Sequence, residues 1–227
     1  MRELSLIAIV LLTLAGCSTS VPASEGSSSA STIQQRRADE LVERAVDYAL
    51  QGDLKKSVEL LDQALQINPR HAIAWTTRAT AVRKLGDYQR AIQDATRAIE
   101  IDPTLAGAYC QRAFAYQQSQ FDNRVERSLA DASKAIQLDP TTALSFIIRG
   151  NVRFELEEYR EALADFTTAI QLNPRSYTAY GSRARVYATL GNLKKAREDI
   201  NKALSLNPQG EDKLSLEEFS KTLKDQP

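Results

Sequence analysis

The reactive chemistry in this 227-residue sequence rests on two cysteines, one histidine and a register of arginines. Cys110 stands among neutral residues with no histidine nearby, which marks a small apolar packing group rather than a reactive thiol. His71 follows Asn68-Pro69-Arg70 in a turn, where solvation or packing is expected rather than general-base work. Catalysis would need a nucleophile or base with an orienting partner. No such set, glycine-rich phosphate loop or metal-ligand cluster occurs, so we expect no enzyme, no catalytic residue, no metal and no cofactor. The paired acids Glu157-Glu158 and Glu217-Glu218 suit solvated helix starts.

The arginines are more suggestive. Arg44, Arg78, Arg112, Arg149 and Arg183 recur at near-equal spacing, and Asp94, Asp131, Asp165 and Asp199 follow the last four. Five guanidiniums in register could form an anion-binding ladder. A part-buried guanidinium needs a carboxylate, however, and the chain supplies one for each arginine after the first. The expected arrangement is four structural pairs, Arg78–Asp94, Arg112–Asp131, Arg149–Asp165 and Arg183–Asp199. Arg44 has Leu60 in the corresponding place and must turn to Glu59 or to solvent.

The elements that position these residues are internal repeats. Asn68-Pro69, Asp102-Pro103, Asp139-Pro140, Asn173-Pro174 and Asn207-Pro208 are separated by 34, 37, 34 and 34 residues. With each proline as position 32, position 27 is Ala64, Ala98, Ala135, Ala169 and Ala203. Positions 8 and 20 are likewise small, whereas position 4 carries Leu41, Trp75, Tyr109, Phe146 and Tyr180. Two helices pack closely only where facing side chains are small and larger neighbours fill the holes. Gly52-Asp53, Gly86-Asp87 and Gly191-Asn192 break three units midway, glycine ending one helix and the Asx residue capping the next. Each unit is therefore helix, turn, helix. Three extra residues around Gln120-Phe121-Asp122-Asn123 lengthen the third turn, where exposed backbone tolerates insertion.

This pattern resembles the tetratricopeptide repeat (TPR) family over about residues 38 to 208. The resemblance implies an all-α, right-handed superhelical solenoid of five helix-turn-helix units plus a C-terminal capping helix. First helices would line a concave, peptide-binding groove. Its positions here are Ile73, Thr76, Thr80, Arg83, Cys110, Phe114, Gln117, Ile147, Asn151, Phe154 and Arg185. The family variant that clamps a C-terminal carboxylate uses lysine, asparagine and arginine where this chain has Val42, Val46, Thr77, Gly107 and Gln111. A chaperone-tail receptor is disfavoured. One helix pair cannot cover its own apolar faces, so the array needs caps. Ser215-x-x-Glu218 resembles a capping box, and Leu216, Phe219 and Leu223 share one face at helical spacing.

Ahead of the repeats, Leu4 to Leu14 is apolar but falls short of the roughly 20 residues that span a bilayer. It reads as a signal-peptide core. It ends in Leu14-Ala15-Gly16-Cys17, which resembles a bacterial lipobox and implies cleavage before Cys17 and its acylation. Ser18 to Thr32 is Ser-rich with almost no large apolar residue and is expected to be a flexible tether. The expected organisation is a signal peptide at 1–16 and lipidated Cys17 with its tether at 17–37. Five repeats follow at 38–209 (38–71, 72–105, 106–142, 143–176, 177–209), then a capping helix at 210–227.

Lys plus Arg and Asp plus Glu are both 29, so no basic excess exists to attract nucleic acid. We therefore expect a protein-binding scaffold of the bacterial envelope, lipid-anchored at the periplasmic face of the outer membrane. Its partners would be proteins that assemble the envelope or process peptidoglycan. A pilotin-like chaperone for a secretin and an anchored enzyme are the alternatives.

Overall fold

The computed structural model describes residues 28–224. These form eleven α-helices and no strand: α1 (Ser28–Leu50), α2 (Leu54–Ile67), α3 (Ala72–Lys84), α4 (Tyr88–Ile101), α5 (Ala106–Gln118), α6 (Arg124–Leu138), α7 (Ala143–Glu155), α8 (Tyr159–Leu172), α9 (Tyr177–Thr189), α10 (Leu193–Ser205) and α11 (Gly210–Lys224). The chain divides into two compact units between Ser119 and Gln120, at the lengthened turn. The first holds α1 to α5 and the second α6 to α11.

The turns follow from local chemistry. Gly52, Gly86 and Gly191 take φ of 88°, 87° and 75°, the left-handed region that glycine enters without penalty. The next residue then caps the following helix, Asp53 accepting from Lys56 N–H, Asp87 from Arg90 N–H and Asn192 from Lys195 N–H. The fourth repeat lacks the glycine, and Glu157 itself adopts φ 61° ahead of Glu158, the N-cap of α8. Between repeats, the Asx side chain accepts the amide two residues on: Asn68 from Arg70, Asp102 from Thr104, Asp139 from Thr141 and Asn173 from Arg175. Proline in between has no amide to donate, which keeps the helix from continuing. Asn207 departs from this pattern and turns left-handed at φ 55°.

Small residues sit at the helix crossings. Ala64, Ala98, Ala135, Ala169 and Ala203 are at most 1% exposed, and Ser57, Ala91, Ser128, Ala162 and Ala196 are fully buried. In the fourth repeat the volume is redistributed: position 8 is Gly150, and the Phe166 ring lies where its Cβ would be, 2.8 Å away at Cε1. At the C-terminal end, Leu216 and Leu223 of α11 cover Ala184, Ala196, Ile200 and Ala203, with Phe219 against the same cluster. Arg197 closes that helix by donating from Nε and Nη2 to the Leu223 carbonyl at 3.0 and 2.7 Å.

Two boundaries differ from expectation. The segment from Ser28 to Arg37, assigned to the tether, is helical and continuous with α1. No breaker interrupts it before Gly52, and Asn68 Nδ2 donates to Gln35 Oε1 across 33 residues of sequence. Likewise Ser215 and Glu218 form no capping box, because α11 begins at Gly210. Glu217-Glu218 is therefore interior to the helix rather than at its start.

Candidate functional site

The arginine register is internal bracing. In the first unit Arg78 donates to Asp94 from Nε and Nη2 at 2.8 and 2.7 Å. In the second, Arg149 and Arg183 make the same two-pronged bond to Asp165 and Asp199. All three aspartates are buried. The Nη1 edge reaches position 25 of the preceding repeat: Arg78 to Asp62, Arg112 to Thr96 and Arg183 to Thr167. Position 4 supplies a ring under each cation, with Arg78 4.5 Å from the Trp75 centroid and Arg112, Arg149 and Arg183 within 5.7 Å of Tyr109, Phe146 and Tyr180. Arg78 and Arg183 are thus held on three sides. Arg112 and Asp131 fall in different units. Arg44 is exposed, beside Glu40 and Gln63.

His71 is also structural. It caps α3, Nδ1 accepting from Ala74 N–H at 3.3 Å, while Nε2 lies 2.8 Å from Asp39 Oδ1 on α1. Among the described residues no cluster of histidine, cysteine and carboxylate side chains could hold a metal ion.

The expected groove positions divide by unit. In the first, Ile73, Thr76, Thr80, Arg83, Phe114 and Gln117 are half-buried on α3 and α5. Cys110 is 3% exposed and offers a partner nothing. In the second, Asn151 and Phe154 are half-buried on α7 and Arg185 is exposed on α9, but Ile147 is only 6% exposed. The reason lies in register. Position 5 faces the neighbouring first helix, as shown by Thr76 Cγ2 lying 3.7 Å from the Cβ site of Gly107. Ile147 accordingly packs in one cluster with Ala179 of α9. Phe154 turns toward Tyr159, ring centroids 5.8 Å apart.

The surviving site is on the first unit. Arg83, in the last turn of α3, lies over the Phe114 ring of α5 at 4.0 Å and donates from Nε to Gln111 Oε1 at 3.0 Å. The hydroxyls of Thr76 and Thr80 are bonded to backbone carbonyls of their own helix. Burial pushes Arg83 below the usual arginine range. Desolvation and then the adjacent Arg83 charge push Lys84 below the usual lysine range. Sequence reasoning named Arg83 and Phe114 as groove residues and Gln111 only as a clamp position without the needed cation; its bond to Arg83 was not foreseen, and its helical spacing of three residues from Phe114 was the available signal.

Comparison with known proteins agrees with this fold. Residues 72–105 and 149–211 match tetratricopeptide repeat profiles, so the chain carries such repeats in both units. No curated protein matches the sequence. Among solved structures, a thermophilic TPR protein of Thermus thermophilus is 22% identical with a TM-score of 0.68, the match covering 82% of this chain and 98% of that one. PilW, described as a widely conserved type IV pilus biogenesis factor, is 21% identical with a TM-score of 0.69, covering 82% and 86%. YrrB, a TPR protein with an unusual peptide-binding site, is 17% identical with a TM-score of 0.56, covering 86% and 100%. The chain has the fold of TPR proteins.

Proposed function

We propose that this chain is a non-catalytic scaffold, anchored to a membrane through lipid on Cys17, that grips partner proteins on the face lined by its first helices. The observation that carries the binding role is the half-buried Arg83–Phe114–Gln111 cluster, an ordered polar and aromatic surface with no catalytic partner beside it. The unusual peptide-binding site of the structural relative YrrB supports the same reading. Anchoring rests on the lipobox-like Leu14-Ala15-Gly16-Cys17, outside the described residues. No described helix is long and apolar enough to cross a membrane. The site of action in this reading is the periplasmic face of the outer membrane, among envelope-assembly or peptidoglycan-processing proteins. A narrower reading, a pilotin-like assembly factor for a secretin, draws on the likeness to PilW.

Affinity capture from envelope extract tests this reading. Peptidoglycan hydrolases or assembly factors, retained by the wild type and lost with Phe114→Ala, support the scaffold. A secretin would favour the narrower reading, and a partner set indifferent to Phe114→Ala would remove the groove. Palmitate labelling that disappears in Cys17→Ser tests the anchor, and an unlabelled wild type would overturn it.

A further inference from the structure

Arg83 differs from the bracing arginines in what surrounds it. Arg78, Arg149 and Arg183 each give two nitrogens to a buried aspartate. Arg83 gives Nε to a neutral amide, and among the described residues neither of its Nη nitrogens meets a carboxylate. A guanidinium carries five donors in a planar fork that matches a carboxylate, and a desolvated cation without a counter-charge is costly to hold. The Phe114 face and the Gln111 bond fix that fork, so its remaining edge is oriented before any partner arrives. Lys84, the next residue, adds a second positive charge to the same end of α3. The surroundings otherwise are neutral: Thr76 and Thr80 have satisfied hydroxyls, and Gln117 lies one turn beyond Phe114.

We propose that the free edge of Arg83, seated on Phe114, receives the side-chain carboxylate of an aspartate or glutamate within an extended acidic segment of the partner. This rests on the scaffold reading and names the chemistry of what is bound. A side chain within a segment is favoured over a chain terminus because Thr76 and Thr80 on α3 and Gln117 on α5 extend the half-buried polar face away from the Arg83–Phe114 pair. The carboxylate clamp used elsewhere in the family has no counterpart at Val42, Val46, Thr77, Gly107 or the neutral amide Gln111.

Selection of random dodecapeptides, displayed with their C termini fused so that no terminal carboxylate is free, on the immobilised full chain tests the proposal. Aspartate or glutamate should be enriched several-fold at one position of the retained peptides. A synthetic, C-terminally amidated peptide from that set should then bind roughly tenfold more weakly to Arg83→Gln, in keeping with the loss of one charge-assisted hydrogen bond. Replacing its acidic residue by the amide should weaken binding equally, and combining both changes should add nothing further. Arg83→Lys should keep part of the affinity. Arg70→Gln, which removes the same charge from an exposed turn, should stay within about twofold of wild type by the screening expected for exposed charges. Circular dichroism melting shows that each variant is folded. Retained peptides with no acidic enrichment would overturn the proposal while leaving groove binding intact, as would an acidic peptide bound equally by Arg83→Gln. Equal losses in Arg70→Gln and Arg83→Gln would reduce the effect to general attraction and also overturn it. Failure to retain any peptide would count against the proposal and the groove together.

Discussion

Arg153 donates from Nη1 to Asp165 Oδ2 at 2.7 Å, the same oxygen that receives Arg149 Nε at 3.0 Å. One carboxylate, 3% exposed, therefore neutralises two guanidiniums of α7. Asp165→Ala removes that carboxylate from both, leaving Arg153 only Glu158 Oε2 at 3.8 Å. Breaking a buried pair costs about 3–5 kcal/mol because the orphaned charge stays desolvated. Urea denaturation should show that loss. A variant within about 0.5 kcal/mol of wild type, the size of an ordinary surface substitution, would mean that the pair is not structural.

Gly150 and Gly181 occupy equivalent tight approaches with opposite outcomes. A Cβ at Gly150 meets Phe166 Cε1 at 2.8 Å and Cζ at 3.0 Å, and that ring is fully buried. A Cβ at Gly181 meets only Leu216 Cδ2, the movable end of an aliphatic side chain. Alanine gains up to about 1 kcal/mol in helix propensity at either site, against about 1–3 kcal/mol for overpacking where nothing can yield. Gly150→Ala should lower the denaturation midpoint and Gly181→Ala should leave it unchanged or raise it. Phe166→Leu should rescue Gly150→Ala in a double-mutant cycle.

Ser57 is fully buried with no hydrogen-bond partner for its Oγ. The same position is alanine in the second, fourth and fifth repeats. Burying an unpaired hydroxyl costs about 1–3 kcal/mol. Ser57→Ala should therefore stabilise the protein, by about 1 kcal/mol once relaxation is allowed for. A lower melting temperature would show that the hydroxyl is satisfied after all.

How far the sequence foretold these sites depends on range. Helix ends are set within three or four residues, so Gly52-Asp53 and Asn68-Pro69 announce them. The Arg–Asp register is equally visible because both partners recur with the period. What period cannot show is contact with another repeat. The reach of Arg78 to Asp62 and the burial of Ile147 by the next first helix both arise that way, and Ser28 to Arg37 runs into α1 where no breaker intervenes. Composition alone made that segment look like coil. Gln111 reads from sequence only as a clamp position without the needed cation, and its role emerges only once α3 and α5 are side by side.

Tyr177 donates to Asp212 Oδ2 at 2.8 Å, tying α9 to the first turn of α11. Burial, then the hydrogen bond and charge of Asp212, push Tyr177 up to about 12 from an ordinary 10.0. The folded protein thus holds this proton more tightly than the unfolded chain. The stabilisation is present in full below pH 10 and drains away between pH 10 and about 12. Unfolding free energy measured across that window should fall more steeply in the wild type than in Tyr177→Phe. Parallel slopes would show that the Asp212 contact carries no proton linkage.

The backward reach of the position-7 guanidinium also bears on how such a chain can grow. Arg78, Arg112 and Arg183 each bond the hairpin immediately before their own. A tandem genetic duplication of residues 72–105 would bring its own arginine, its own aspartate and an acceptor in Thr96 for whatever follows. Every new copy would arrive with both halves of the fastening, so length can change without any compensating mutation elsewhere.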